Sequence, residues 1–303
     1  MKLGYIGLGK MGKNMVLRLH ELGIEVVAWN RSPEPRQGVA KVGVETTETV
    51  EQLIQRLETP RIIWLMLPAG ATTDEYIDKL IPLLSPGDLL IDGGNSFYKD
   101  TLKRAEKLST KGIHFMDIGT SGGPAGARNG ACLMIGGSKE DYQRVLPLVK
   151  AAAAPQAFGH FGKVGAGHFA KMVHNGIEYG MMEAIAEGLA ILEHSGLVTD
   201  LAEVFRVYNN RSVIESRLVG WTEDALREDP KLSEYNSMIG HTGEGEWTVN
   251  AAKELGVEVP VLEGSFKVRV ESENVKESSA DGYRNKAVSA MRGKFGGHSV
   301  KKQ

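Results

Sequence analysis

Lys2-Leu-Gly-Tyr-Ile-Gly7-Leu-Gly9-Lys-Met-Gly12 opens the chain after its first residue. Residues 2–7 form a short apolar run of strand character. The glycines then follow in the spacing G-x-G-x-x-G, and residues 11–22 are amphipathic at helical period until Gly23 stops them. Residues 25–29, Glu-Val-Val-Ala-Trp, read as a second strand. The motif alone is weak evidence. Placed between a strand and a helix that leads to another strand, it predicts a dinucleotide site. Glycine permits the tight turn, the approach of backbone to a pyrophosphate and close helix–strand packing. The helix N-terminus adds unpaired N–H groups and the positive end of its dipole. Gly7, Leu8, Gly9, Lys10, Met11 and Gly12 are therefore candidate cofactor contacts.

The same alternation continues outward. Apolar runs at 62–67, 89–92, 114–118 and 131–135 are separated mostly by helical stretches at 48–57, 73–84 and 99–109. Strands alternating with helices predict parallel βαβ units. From residue 165 the pattern changes to one long helical stretch ending near 193. Further helices are expected at 200–208, 215–228, 246–255, 261–270 and 283–295, with no convincing strand. The expected fold is an α/β Rossmann-like doubly wound parallel sheet followed by an all-helical second domain. The expected boundaries are 1–165 for the nucleotide domain, 166–295 for a helical substrate and dimerisation domain, and 296–303 for an irregular tail.

Composition narrows the function classes. The net charge of −2 provides no basic field for nucleic acid or an anionic membrane. No apolar stretch reaches the ~20 residues of a membrane-spanning helix, and the N-terminus lacks the apolar core of a signal peptide; the expected compartment is cytoplasmic. The one cysteine, Cys132, excludes an intrachain disulfide, and its apolar run, Ala131-Cys-Leu-Met-Ile135, suggests a buried thiol. No histidine or cysteine spacing suggests a metal site.

The second strand ends in Asn30-Arg31-Ser32. An NAD site usually places a carboxylate near this point for the ribose 2′-hydroxyl. Here Arg31 can pair with a 2′-phosphate and Ser32 can donate to it, so NADP is the expected cofactor, with NAD the alternative. In the long helix, Lys171, His174, Asn175, Glu178 and Tyr179 fall at offsets 0, 3, 4, 7 and 8, one stripe over two turns. Phe169, Met172, Val173, Ile177, Met181, Ile185, Leu189 and Leu192 form the expected apolar stripe. Spacing alone leaves two readings of the polar stripe: a reacting site or a solvated face. His, Asn and Tyr with a single charge of each sign favour the site. Gly176 and Gly180, each costing about 1 kcal/mol in a helix, suggest that something approaches closely. Asn95, after Gly93-Gly94, and Ser121-Gly122-Gly123 stand at strand ends, where ligands bind in open sheets. Turn chemistry explains the same residues equally well.

These motifs together resemble the 6-phosphogluconate dehydrogenase family. The resemblance rests on Gly7–Gly12 with Asn30-Arg31-Ser32, Gly93-Gly-Asn95, Ser121-Gly-Gly123 and Lys171-Met-Val-His-Asn-Gly-Ile-Glu-Tyr179. It covers nearly the whole chain and fits the family's short form. It implies Lys171 as the base at the 3-hydroxyl and Glu178 as the acid at C1. Asn95, Ser121, Gly122, Gly123, His174 and Asn175 would hold a sugar acid, with Tyr179 and Arg269 at its phosphate. Leu67, Pro68, Ala69 and Asn95 would border the nicotinamide. Arg292-Gly-Lys-Phe-Gly-Gly-His298 resembles the family's tail, which implies Arg292 and His298 completing a neighbour's site in a homodimer or homotetramer. Two departures stand out: no lysine precedes Trp247-Thr248, and Pro68 occupies a position where the long form has lysine. Two alternatives remain at this level. One is another β-hydroxyacid dehydrogenase, such as a 3-hydroxyisobutyrate type, which has no use for the Arg269, Arg292 and His298 cluster. The other is a non-catalytic NADP-binding sensor, which need not keep both Lys171 and Glu178.

Overall fold

The computed structural model describes residues 2–241, 243–296 and 300. The chain divides into two compact units, Met1–Met172 and Val173–Gln303.

The first unit is built on an eight-stranded sheet. Its strands are β1 (Lys2–Ile6), β2 (Glu25–Trp29), β3 (Glu45–Thr46), β4 (Ile62–Leu65), β5 (Leu89–Asp92), β6 (His114–Ser121), β7 (Ala131–Gly136) and β8 (Ala153–Gly162). The spatial order is β3-β2-β1-β4-β5-β6-β7-β8. Chain order reverses between β1 and β4, which is where an open α/β sheet opens a ligand crevice. Central strands read as unbroken apolar runs because both faces are covered. Leu3, Tyr5, Trp64, Ile91 and Met116 face one core with Met15 and Leu19 of α1 (Lys10–Glu21) and Val145 and Leu148 of α7 (Lys139–Ala152). Ile6, Ile63, Leu65, Leu90 and Phe115 face the other. That core includes Leu53 of α3 (Val50–Gln55), Ile77 of α4 (Ala71–Leu80) and Leu108 of α5 (Tyr98–Ser109).

The sheet departs from the purely parallel expectation at one place: β7 runs antiparallel to β6. The connection is α6 (Gly123–Asn129), too short to carry the chain back for a parallel crossover. Three further elements have no clear sequence signal. The α2 helix (Pro33–Ala40) carries two prolines, and β3 is only two residues long. Edge strand β8 is largely accessible and contains Pro155, so it lacks an apolar alternation; an edge is where a strand tolerates proline. The α7 helix does have a signal, Ser138 accepting from the Asp141 backbone N–H at 3.0 Å, but Pro147 lies inside it. Cys132 is exposed, against expectation. Ala131, Leu133 and Ile135 take the core face of β7, and the period of two turns Cys132 the other way.

The second unit is helical among its described residues: α8 (Ala166–Ser195, begun in the first unit), α9 (Leu201–Tyr208), α10 (Arg217–Glu228), α11 (Glu244–Leu255), α12 (Pro260–Glu271) and α13 (Ala280–Gly296). Its core joins Met182, Ala186 and Leu189 of α8 to Phe205, Leu218, Val219, Val288 and Met291. Beyond α13 only Val300 is described. It is buried in this core, and its carbonyl accepts from the Asn236 N–H at 3.0 Å. Among the described residues no helix is long and apolar enough to cross a membrane.

Candidate active site

The glycine loop has the shape a dinucleotide requires. A Cβ at Gly7 would lie 2.2 Å from the Met66 carbonyl, where φ is also +105°, and one at Gly12 would lie 2.0 Å from the Gly7 carbonyl. Both contacts are with backbone and cannot yield. Around a Cβ at Gly9 nothing stands within 4 Å, so that glycine leaves open space over the helix start. The α1 N-terminus has no side-chain cap and no acidic residue in its first turn, which leaves it suited to an anion. Asn30 has a part in this loop beyond the one expected of it: its Oδ1 accepts from the Leu8 N–H at 2.8 Å and ties the end of β2 to the loop. Arg31 and Ser32 are exposed beside it, and Ser32 stands at the N-cap of α2 without bonding that helix through its hydroxyl. These residues fit a dinucleotide with a charged 2′ substituent.

At the ends of β5 and β6 stand the two other loops. Gly93 packs under Trp64, whose Nε1 would be 2.0 Å from a Cβ there. Asn95 is exposed and Ser121 half-buried. Gly122 and Gly123 both have positive φ, +115° and +62°, and turn β6 directly into α6. The 119–124 stretch is thus a strand end and a helix start rather than a loop.

Lys171 is placed by the start of α8. Asp117, fully buried in β6, accepts at Oδ1 from the Gly165 N–H and at Oδ2 from the His168 N–H, both at 2.7 Å. Glycine-to-backbone contacts draw the helix onto the sheet: a Cβ at Gly167 would lie 2.4 Å from the Met134 carbonyl. A Cβ at Gly119 would lie 2.4 Å from the Lys171 Cβ, so the lysine stem rests on β6 two residues before Ser121. Sequence reasoning missed Asp117. The available signal was a lone carboxylate within the apolar run Phe115-Met-Asp-Ile118.

The polar stripe of α8 is buried at Lys171, Asn175 and Tyr179, with His174 and Glu178 partly exposed, and Met172 and Leu189 of the apolar stripe are buried as well. Lys171 and Tyr179 are each 7% exposed, whereas Ile177 and Met181, expected on the buried face, are 51% and 42% exposed. At Lys171, Asn175 and Tyr179 the stripe is therefore not a solvated face. The helix glycines are also explained differently: a Cβ at Gly176 would lie 2.6 Å from Thr248 on α11, and one at Gly180 would meet Leu262 and Val261 of α12 at 3.3 and 3.4 Å. Neighbouring helices, not a ligand, require them. His174 Nδ1 lies 3.0 Å from Asn175 Oδ1 and 3.8 Å from Glu178 Oε2.

Around Tyr179 the second unit gathers cations. The Arg269 guanidinium stacks on the Tyr179 ring, 3.2 Å from Cζ to centroid, and is 2% exposed. Burial, with the nearby Arg292 charge adding to it, pushes its pKa down to about 10. Arg292, 8% exposed on α13, is also pushed down by burial. It lies close to Tyr179, Glu244 and Glu178 of this chain. Gly245 and Gly240 make room: a Cβ at Gly245 would lie 2.6 Å from the Tyr179 ring, and one at Gly240 would lie 3.4 Å from Arg292 Nη1. Glu178 and Glu183 attract Arg269, and Glu244 and Glu178 attract Arg292, but burial outweighs them at both. Buried Glu183, which also feels the Arg269 charge, has Arg284 Nε 3.1 Å from its Oε1, off the hydrogen-bond line; burial pushes its pKa up to about 7. His298 lies outside the described residues. No group of three or more potential metal ligands occurs among the described residues.

Residues 2–167 match the family model of the NAD binding domain of 6-phosphogluconate dehydrogenase, and residues 167–302 match its C-terminal domain. The chain is 39% identical over 302 residues to the NAD(+)-dependent, decarboxylating 6-phosphogluconate dehydrogenase of Haloferax volcanii, covering 99% of this chain and 98% of that protein. It is 40% identical over 297 residues to the NADP(+)-dependent enzyme of Bacillus subtilis, covering 91% of this chain and 63% of that longer one. The solved 6-phosphogluconate dehydrogenase of Plasmodium falciparum superposes with a TM-score of 0.83 at 30% identity, over 96% of this chain and 70% of that one. With both units matched along nearly their whole length, the chain belongs to the 6-phosphogluconate dehydrogenase family.

Proposed function

We propose that this chain oxidises and decarboxylates 6-phosphogluconate to ribulose 5-phosphate and CO2, with NADP as the oxidant, as a cytoplasmic step of the pentose phosphate pathway. The observation that carries the reading is the pair of buried arginines at Tyr179. A buried charge is costly unless compensated, and at both guanidiniums burial outweighs the attraction of Glu178, Glu183 and Glu244 and lowers the pKa. A phosphate dianion supplies that compensation through charge-assisted, bidentate bonds. A non-phosphorylated hydroxy acid does not.

In this reading Gly7, Leu8, Gly9, Lys10, Met11 and Gly12 cradle the pyrophosphate and Asn30, Arg31 and Ser32 the adenosine ribose. Leu67, Pro68, Ala69 and Asn95 border the other half. Bound NADP supplies the hydride acceptor. Neutral Lys171 takes the 3-hydroxyl proton as the C3 hydride departs. Protonated Lys171 then donates to the 3-keto oxygen, which draws the electron pair of the breaking C1–C2 bond towards the carbonyl as CO2 leaves. Glu178 delivers a proton to the carbon of the resulting enediol. Asn95, Ser121, Gly122, Gly123, His174 and Asn175 hold the carboxylate and hydroxyls, and Tyr179, Arg269 and Arg292 the phosphate. His298 of a second copy would complete the site in a homodimer or homotetramer.

The test is the absorbance of reduced nicotinamide with 6-phosphogluconate and each cofactor in turn. NADP reduction with stoichiometric CO2 is expected; no reduction with either cofactor refutes the proposal. Lys171→Met should abolish reduction while NADPH still binds, and normal turnover by that variant would remove Lys171 as the base.

A further inference from the structure

One buried side chain joins the two loops that follow β4 and β5. Arg104 on α5 is 4% exposed. Its Nη1 donates to Asp92 Oδ2 at 3.1 Å and to Ser96 Oγ at 3.0 Å, in the 93–96 loop and the strand end before it. Its Nη2 donates to the Gly70 carbonyl at 3.3 Å and its Nε to Asp74 Oδ1 at 2.7 Å, both at the start of α4. The rest of the network holds each loop internally. Ser96 Oγ donates to Asp92 Oδ2 at 2.8 Å, and the Gly94 N–H donates to Asp92 Oδ1 at 3.1 Å. Thr73 Oγ1 donates to the Pro68 carbonyl at 2.8 Å. The loops touch through backbone, since a Cβ at Gly94 would lie 2.7 Å from the Leu67 carbonyl. Only a planar fork with several fixed donors can reach all these acceptors at once; an ammonium offers a single point.

We propose that Arg104 is a positioning residue that locks the 67–70 and 93–96 loops to one another and thereby fixes the nicotinamide half of the cofactor site. The assignment of that half follows from sheet order and rests on the cofactor placement proposed above. If the adenosine ribose lies at the end of β2, on one side of β1, the other half must lie across the switch point, over the ends of β4 and β5. Arg104 itself touches neither cofactor nor substrate in this scheme.

Two probes separate the halves: NADPH, which fills the whole site, and 2′,5′-ADP, which fills only the adenosine end. Arg104→Lys keeps the buried charge beside Asp92 but removes the fork. It should weaken NADPH about tenfold, the equivalent of one charge-assisted hydrogen bond, and change 2′,5′-ADP less than about twofold. Asp74→Asn leaves the buried Arg104–Asp92 pair in place and guards against loss of folding; it should weaken NADPH about threefold, again sparing 2′,5′-ADP. Wild-type NADPH affinity in both variants, or equal loss of both probes, overturns the inference. Arg31→Ala is the control on cofactor placement and should weaken both probes. If it weakens neither, the placement fails; if it weakens both and Arg104→Lys spares NADPH, the role of Arg104 fails alone.

Discussion

Asp117→Asn tests how α8, which carries the proposed base Lys171, is held. The aspartate is fully buried and accepts two backbone N–H groups, Gly165 and His168, at 2.7 Å each, one on each oxygen. Asparagine preserves the shape but offers one acceptor, and its amide NH2 faces the remaining N–H. One charge-assisted bond is lost and one buried donor is left without a partner, about 2–3 kcal/mol. Loss of a negative charge at the N-terminus of α8 adds about 0.5–1 kcal/mol. Relief by movement is restricted, because a Cβ at Gly136 would already lie 2.5 Å from Asp117 Oδ1. The expected loss is about 3 kcal/mol, which in a unit of this size lowers Tm by about 6–12 °C. Lys171 follows His168 by three residues on the same helix, so with Lys171 as the proposed base kcat should fall about tenfold or more even below the transition. Circular dichroism melts and steady-state kinetics at a temperature where both proteins are folded provide the measurements. A Tm within about 2 °C of wild type, with kcat unchanged, would refute the account of Asp117 as the cap that fixes Lys171.

Gly12→Ala should abolish detectable NADPH binding while leaving the helical unit folded, since its Cβ would sit 2.0 Å from the Gly7 carbonyl; titration of nicotinamide fluorescence reads this directly. Arg269→Met removes one buried cation of the Tyr179 cluster. It should raise the KM for 6-phosphogluconate by about a hundredfold, the worth of a charge-assisted pair, without altering the Kd for NADPH. Glu183 has a pKa of about 7, above its ordinary 4.5, so the folded chain holds its proton more tightly than the unfolded one. Its contribution is fully present below about pH 4.5 and is lost as pH rises through 7. Glu183→Gln should therefore reduce the fall in urea-unfolding stability between pH 5 and pH 8 by about 2 kcal/mol; an unchanged fall would show that Glu183 is not the group responsible.

Much of the fold was legible because parallel strands covered on both faces are continuous apolar runs, as in Ile62–Leu65 and Leu89–Asp92. Elements at the sheet margin were not. β8 is accessible along most of its length and contains a proline, and β3 is two residues long, so neither carries a periodic signal. For the candidate site, Gly7, Gly9 and Gly12 announce themselves by spacing, and the 171–179 stripe by its offsets. Arg104 and Asp117 are ordinary charged residues in sequence; only burial at 4% and 0% exposure distinguishes them.

The sequence by itself determined the alternating architecture, the glycine loop and the choice of residues on one helical face, since each depends on local period and backbone freedom. Tertiary structure decided which face of α8 is buried. Periodicity finds two stripes on a helix but does not say which one meets protein. Lys171 and Tyr179 are enclosed and Ile177 and Met181 exposed because Gly119, Thr248 and Arg269 come from elsewhere in the chain to meet that helix.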